Sequence, residues 1–170
     1  MPSQTFINLK DAKKQRVRTA LLNEFSQHSL ATAEVARIIK NAQISRGAFY
    51  KYFADLTDAY LYLLQEVLVA IHVPLGQTEQ QLAASDYYQM VAKFVDRVHQ
   101  GPYYQFVRNH FLTNEGILPQ ENGTQLEPQT DTQWAVMTLC HATIKECLLA
   151  PDDRARALAR LKKMLKKITE

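Results

Sequence analysis

Cysteine is scarce in this sequence: Cys140 and Cys147 are the two among 170 residues, too few for a disulfide scaffold. Five glycines and six prolines exclude a collagen-like or linker-dominated chain and favour long helices. No window reaches the roughly 18 unbroken apolar residues that a membrane span needs. Residues 1–14 lack the apolar core of a secretory leader. A cytoplasmic chain with no membrane partner is therefore expected. There is no repeat of fixed period and no two-residue apolar alternation of the strand kind. Phosphate loops, HExxH, serine elbows and recognisable carboxylate pairs are also missing, so nothing points to an enzyme. What remains is 46% hydrophobic and 22% charged, the balance of a protein that buries a core.

The net charge of +3 hides a division. Residues 1–56 hold nine basic and four acidic side chains, whereas 57–153 hold four basic and twelve acidic ones. Seven more bases lie between Arg154 and Lys167. A basic head on an acidic body suggests a polyanionic partner for the head, although basic helix faces are often merely solvated.

Helical periodicity covers most of the chain. Val17, Leu21, Phe25 and His28 form one stripe of a first helix from Asp11 to His28. Lys13, Lys14, Arg16 and Arg18 crowd its early turns, where the helix dipole disfavours cations unless an anion is near. Thr32 is placed to cap a short second helix whose inner face is Val35, Ile38, Ile39 and Ala42. After a tight connection at 41–44, Ser45 is placed to cap a third helix through Phe53, with Phe49 and Phe53 pointing inward. Asp55 and Asp58 open a fourth, 57–73, apolar nearly all round and ended by Pro74.

Beyond it, 76–81 reads as a loop, and 82–99 as a helix with Leu82, Met90, Phe94 and Val98 on one side. A further helix follows at 103–112, then a mobile loop at 113–131. Helices at about 132–149 and 152–168 close the chain. The first of these has apolar residues on two faces, Trp134, Met137, His141, Ile144 and Leu148 against Val136, Leu139, Cys140, Thr143 and Cys147. One face can serve the core and the other a partner. The fold class is thus all-α.

The segment from Thr32 to Phe53 carries the strongest functional signal. Two short capped helices joined by a tight turn are the sequence form of a helix-turn-helix. A helix that enters a major groove about 12 Å wide needs a small N-terminal turn, polar groups near that end and an apolar underside. Ser45, Arg46, Gly47 and Ala48 supply the first two needs, and Phe49 and Phe53 the third. Gly47, in the first turn, lets a backbone come close to another molecule. Tyr50, Lys51 and Tyr52 then fall on the expected exposed sector, within reach of phosphates.

The run Ile38–Phe53, with Ser45, Gly47, Phe49, Tyr50, Tyr52 and Phe53 together, resembles the helix-turn-helix of tetracycline-repressor (TetR) family regulators. The resemblance covers about residues 10–60. Two departures stand out: Gln43 replaces a usual turn glycine, and Leu56 a common lysine at the start of the fourth helix.

The resemblance implies a three-helix DNA-binding domain at 1–55 and a helical effector-binding and dimerisation domain at 56–170. It implies that Arg46 and Ala48 face bases, that Ser45 caps and touches base or phosphate, and that Tyr50, Lys51 and Tyr52 hold phosphates. Thr32 and Ala33 would approach the DNA backbone, and Lys13, Lys14 and Arg16 would add phosphate or minor-groove contacts. It further implies a homodimer through the last two helices, a palindromic double-stranded operator, and a repressor released by a small effector. A ligand-independent or activating regulator, and a non-catalytic protein-interaction adaptor, remain alternatives.

Ten of the 16 aromatic residues lie after residue 56. Small-molecule pockets are apolar with a few polar anchors, which makes Tyr62, Phe94, Tyr103, Phe106, Phe111, Trp134, Met137 and His141 effector candidates. Plain core packing is the commoner fate of each one singly. The acidic middle favours an apolar or cationic effector. No cofactor is implied. Cys140 and Cys147, about 10 Å apart along one helix, are too distant for one tetrahedral metal and read as structural thiols.

Overall fold

In the computed structural model the described residues are 1–71, 82–118 and 130–169. They form helices throughout, and no strand occurs among them. The elements are α1 (Gln4–Ile7), α2 (Asp11–Gln27), α3 (Val35–Ala42), α4 (Arg46–Tyr52), α5 (Leu56–Ile71), α6 (Ala84–Gln100), α7 (Tyr104–Asn109), α8 (Asp131–Leu149) and α9 (Arg154–Thr169). A π-helical turn, His110–Asn114, continues α7, and a 3-10 turn, Pro151–Asp153, precedes α9. The chain divides into two compact units. One holds 1–71 and 105–117, and the described residues of the other are 82–104, 118 and 130–169.

In the first unit the expected stripe of α2 is its core: Val17, Leu21 and Phe25 are fully buried, together with Ile38, Ala42, Phe49 and Phe53. Burying each of these side chains except Ala42 contributes about 1.5–3 kcal/mol. The second helix starts later than the sequence suggests. Its N-cap is Glu34, not Thr32, and no side chain of its own caps it. Thr32 instead closes a turn with Ser29, the two hydroxyls lying 3.0 Å apart. The cap comes from a distance, from the Glu24 carboxylate on α2.

The turn between α3 and α4 has the geometry that the missing glycine puts at issue. Gln43 is left-handed, φ 54° and ψ 50°. Its N–H donates to the Lys40 carbonyl at 3.3 Å, and the Ile44 N–H to the Ile39 carbonyl at 3.1 Å. This is a Schellman termination, in which glycine usually takes the left-handed place. A Cβ there costs about 1–2 kcal/mol. Gln43→Gly is therefore expected to stabilise the protein by about 0.5–1 kcal/mol, after the added freedom of the unfolded chain is deducted. The midpoint of urea unfolding reads this directly.

α5 begins at Leu56, capped by Asp55, whose carboxylate accepts the Asp58 N–H at 2.8 Å. Asp58 in turn accepts the Ala54 N–H at 3.0 Å. The helix buries one face within the chain, through Ala59, Tyr60, Leu63, Val67 and Ile71. Leu68 and Val69 lie exposed near its end, so the helix, apolar nearly all round, is not covered on every side by the described residues. The expected end at Pro74 and the loop at 76–81 lie outside the described residues.

The segment 105–117 completes the first unit with a polar join. The Asn109 amide nitrogen donates to the Phe25 and His28 carbonyls, both at 2.9 Å, and so closes the C-terminal end of α2. The Asn114 carbonyl oxygen accepts the Leu30 N–H at 2.9 Å. The Tyr60 hydroxyl lies 2.9 Å from His110 Nδ1. Burial pushes the Tyr60 phenol up to about 12, against a smaller opposing effect of Asn114. The helical path thus runs through residue 114, beyond the expected end at 112. Of the expected loop at 113–131, residues 119–129 lie outside the described residues.

The second unit packs α6, α8 and α9 on one another. Its core includes Val91, Val95 and Val98 of α6, Val136, Cys147 and Leu148 of α8, and Leu158, Leu161 and Leu165 of α9. On α6 the buried face is turned from the expected one, since Met90 and Phe94 are only half-buried. Thr130 caps α8, its hydroxyl accepting the Gln133 N–H at 3.1 Å. The two last helices occupy nearly the expected ranges, with Asp152 and Asp153 placed in the 3-10 turn before α9.

Candidate nucleic-acid interface

The interface is built outward from α4. Ser45 caps it, its hydroxyl accepting the Ala48 N–H at 3.1 Å. Ser45, Arg46 and Gly47 are exposed, Ala48 is half-buried, and Tyr50 and Lys51 are exposed. Phe49 and Phe53 are fully buried beneath them. The helix therefore presents a small, polar N-terminal turn and braces it from below. A Cβ added at Gly47 meets nothing within 4 Å. The fold itself has no need of glycine at this position.

Arg46 and Tyr50 stand one turn apart and touch. The guanidinium lies 5.5 Å from the Tyr50 ring centre, and its Nη2 donates to the Tyr50 hydroxyl at 3.4 Å. Both side chains are solvent-facing, and Tyr50 is 47% exposed. The contact pre-orders an arginine fork that can meet two acceptors in one plane.

Tyr52 is placed differently from the expected exposed sector. It is 4% exposed, its ring 5.6 Å from that of Phe6. Position 52 lies three residues beyond Phe49, and helical spacing turns it to the same inner face. Among the basic side chains of α2, Arg16 is exposed. Lys13 stands over the Tyr52 ring, 5.8 Å from its centre, and Lys14 donates from Nζ to the Ile7 carbonyl at 2.6 Å. Thr32 is exposed and Ala33 half-buried, in the turn before α3. Leu56, at the start of α5, is half-buried.

Two groups that hold this surface were not singled out by sequence. Glu24, 3% exposed, accepts the Glu34 N–H at 2.8 Å and is gripped by Arg37 through Nε at 3.0 Å and Nη2 at 2.7 Å. Burial works against the Glu24 anion. The Arg37 and Glu34 hydrogen bonds and the Arg37 charge together outweigh it and hold the carboxyl below its usual value. The available signal was spacing: Glu24 sits three residues beyond Leu21, on the buried stripe of α2. The other group is the N-terminal segment with Ser3 and Phe6, whose single aromatic residue gave no periodicity to read.

The effector candidates fall in different units. Tyr62, Phe106 and Phe111 belong to the first; Phe94, Tyr103, Trp134, Met137 and His141 to the second. Tyr62 packs edge-on to Phe6 at 5.0 Å, and Phe106 is fully buried, 5.5 Å from Tyr60. Trp134 is 60% exposed and His141 is also exposed. A groove of about 470 Å³ lies on α2, lined by Asp11, Ala12, Lys14, Gln15 and Arg18, and none of the eight candidates lines it. Cys140 is half-buried and Cys147 buried. Burial pushes the Cys140 thiol up to about 11. Among the described residues, no three His, Cys, Asp or Glu side chains gather as a metal site. No helix of these residues is long and apolar enough to cross a membrane.

The fold and the exposed, capped α4 define an all-helical helix-turn-helix protein. No family model matches the sequence, and no curated protein matches it. Solved structures do. The chain is similar to a TetR family transcriptional regulator from Chloroflexus aurantiacus J-10-FL, with a TM-score of 0.57 and 22% identity over 99% of this chain and 96% of that one. It is also similar to a TetR transcriptional regulator from Rhodococcus sp. RHA1, with a TM-score of 0.56 and 14% identity over 92% of this chain and 96% of that one. The chain has the fold of TetR-type regulators, in agreement with the all-α expectation.

Proposed function

We propose that this protein is a sequence-specific DNA-binding transcriptional regulator of the TetR type. The observation that carries the reading is α4: a capped helix with Arg46, Gly47, Tyr50 and Lys51 turned to solvent, braced by buried Phe49 and Phe53. Residues 1–55 contact DNA and 56–170 serve dimerisation and effector binding. Arg46 reads a base, with Ala48 beside it. Ser45, Tyr50 and Lys51 hold phosphates, and Tyr52 acts as a brace. Thr32, Ala33, Arg16, Lys13 and Lys14 flank the same duplex.

Two copies pair through α8 and α9, so that two α4 helices meet half-sites one turn apart on a palindrome. The outward Trp134 on α8 supports this reading. The regulator represses, and a small apolar or cationic effector releases it. Only Ala54 and Asp55 separate Phe53 from α5, so a displacement of α5 passes to α4 through a very short connection. A coupling of about 1–3 kcal/mol is enough for such a switch.

The test is selection of duplexes from a random pool by the purified protein. A palindromic consensus, bound at about nanomolar concentration with steep salt dependence, is expected. Gly47→Ala is expected to keep or slightly raise thermal stability, because its Cβ meets open space. It is expected to weaken operator binding, because the methyl group points where the duplex lies. A protein that enriches no sequence, or a Gly47→Ala variant with full affinity, would contradict the reading.

A further inference from the structure

The recognition helix is only seven residues long. A helix of this length has little stability of its own, and its last four carbonyls have no partner inside it. At its C-terminal end two of them are taken by a residue far away in sequence. The Ser3 hydroxyl donates to the Lys51 carbonyl at 2.6 Å, and the Ser3 N–H to the Tyr52 carbonyl at 2.9 Å. The same hydroxyl accepts the Phe6 N–H at 3.3 Å, as N-cap of α1. One side chain thus ties the start of α1 to the end of α4.

Phe6 fastens the same junction from the apolar side. It is 1% exposed, and its ring lies 5.6 Å from Tyr52, 4.8 Å from Phe53 and 5.0 Å from Tyr62. These rings come from the end of α4, the link after it and the body of α5. Lys14 of α2 holds the far end of α1 through the Ile7 carbonyl. The segment 3–7 is therefore bound to three elements at once, all within the first compact unit.

We infer that Ser3 and Phe6 are positioning residues for operator recognition: the N-terminal segment is a strap that sets the angle of α4 against α5, and with it the reach of Arg46. The inference rests on the DNA-binding reading proposed above. The strap touches no base, so its loss acts on discrimination. A bidentate arginine contact depends on orientation, whereas attraction to phosphate depends mainly on charge.

The experiment compares Ser3→Ala, Ser3→Thr and Phe6→Leu with the parent chain, each against the selected operator and a scrambled duplex of equal length at one salt concentration. Ser3→Ala and Phe6→Leu are expected to lose roughly five- to tenfold in operator affinity, a part of what one bidentate contact supplies. Scrambled-duplex affinity is expected to change less than about twofold, since the cationic groups stay in place. Ser3→Thr, which keeps the hydroxyl, restores the parent ratio. Hydrogen exchange without DNA is expected to quicken at the Tyr52 and Phe53 amides in Ser3→Ala and to return in Ser3→Thr.

Equal loss on both duplexes, or an unchanged operator-to-scrambled ratio, overturns the inference. Unchanged exchange at Tyr52 and Phe53 overturns it without reference to DNA. A parent chain that selects no duplex defeats the DNA-binding reading itself, while the exchange comparison still reports on the strap.

Discussion

Arg46→Ala is expected to weaken binding to the selected operator by about 1–3 kcal/mol, roughly five- to 150-fold, and to relax preference at one base pair of each half-site. The fold is expected to survive. Arg46 is exposed and its contact is with Tyr50 on the same surface, so its removal opens no cavity. Arg46→Lys tests the geometry, because lysine keeps the charge but not the planar fork. It is expected to retain scrambled-duplex affinity and the salt slope while losing much of the discrimination. Titration of both duplexes at several salt concentrations separates these outcomes. Full affinity and unchanged preference in Arg46→Ala would remove Arg46 from the base-reading role.

Glu24→Ala is expected to destabilise the protein by about 2–3 kcal/mol, since a buried acceptor of charge-assisted hydrogen bonds disappears. Two things fail together: the first turn of α3 loses the partner of the Glu34 N–H, and Arg37 loses its anchor. Arg37→Ala is expected to destabilise as well, by leaving the carboxylate in its buried place without the guanidinium.

The pH dependence follows from the lowered Glu24 pKa. The folded state holds this carboxyl below its usual value of 4.5. The stabilisation is then fully present above that value and is lost as pH falls through the lowered one, where the folded protein takes up the proton. Urea midpoints between about pH 3 and 7 are expected to show a parent–variant gap that is widest near neutrality and narrows in acid. A constant gap would mean that Glu24 stabilises by packing alone.

Much of this architecture is local and therefore readable. The α2 stripe, the Ser45 cap, the inward Phe49 and Phe53 and the Asp55 start of α5 each depend on residues within one or two turns of each other. The strain at Gln43 was legible only through the resemblance, which puts a glycine at that place in the three-residue link 43–45. The exposed basic and polar face of α4 follows from helical spacing once Phe49 and Phe53 are taken as its underside.

Other features depended on partners distant in sequence. Thr32 looked like a cap by residue type, but Glu24, ten residues before Glu34, took that role. Tyr52 shares the inner face of α4 with Phe49, and the ring that covers it there, Phe6, comes from another part of the chain. On α6 the sequence offers two overlapping stripes, and packing against α8 and α9 buried Val91, Val95 and Val98, spaced four and three apart, in preference to Met90 and Phe94.

The amino-acid sequence alone determined that the chain is helical, where most of its helices lie, and which short segment forms the capped, exposed second helix of a helix-turn-helix, because propensity, capping and periodicity act over one or two turns. Tertiary structure alone decided what caps α3, what holds the end of α4, and that Phe6 is the ring that covers Tyr52, because those outcomes rest on contacts between residues ten or more positions apart.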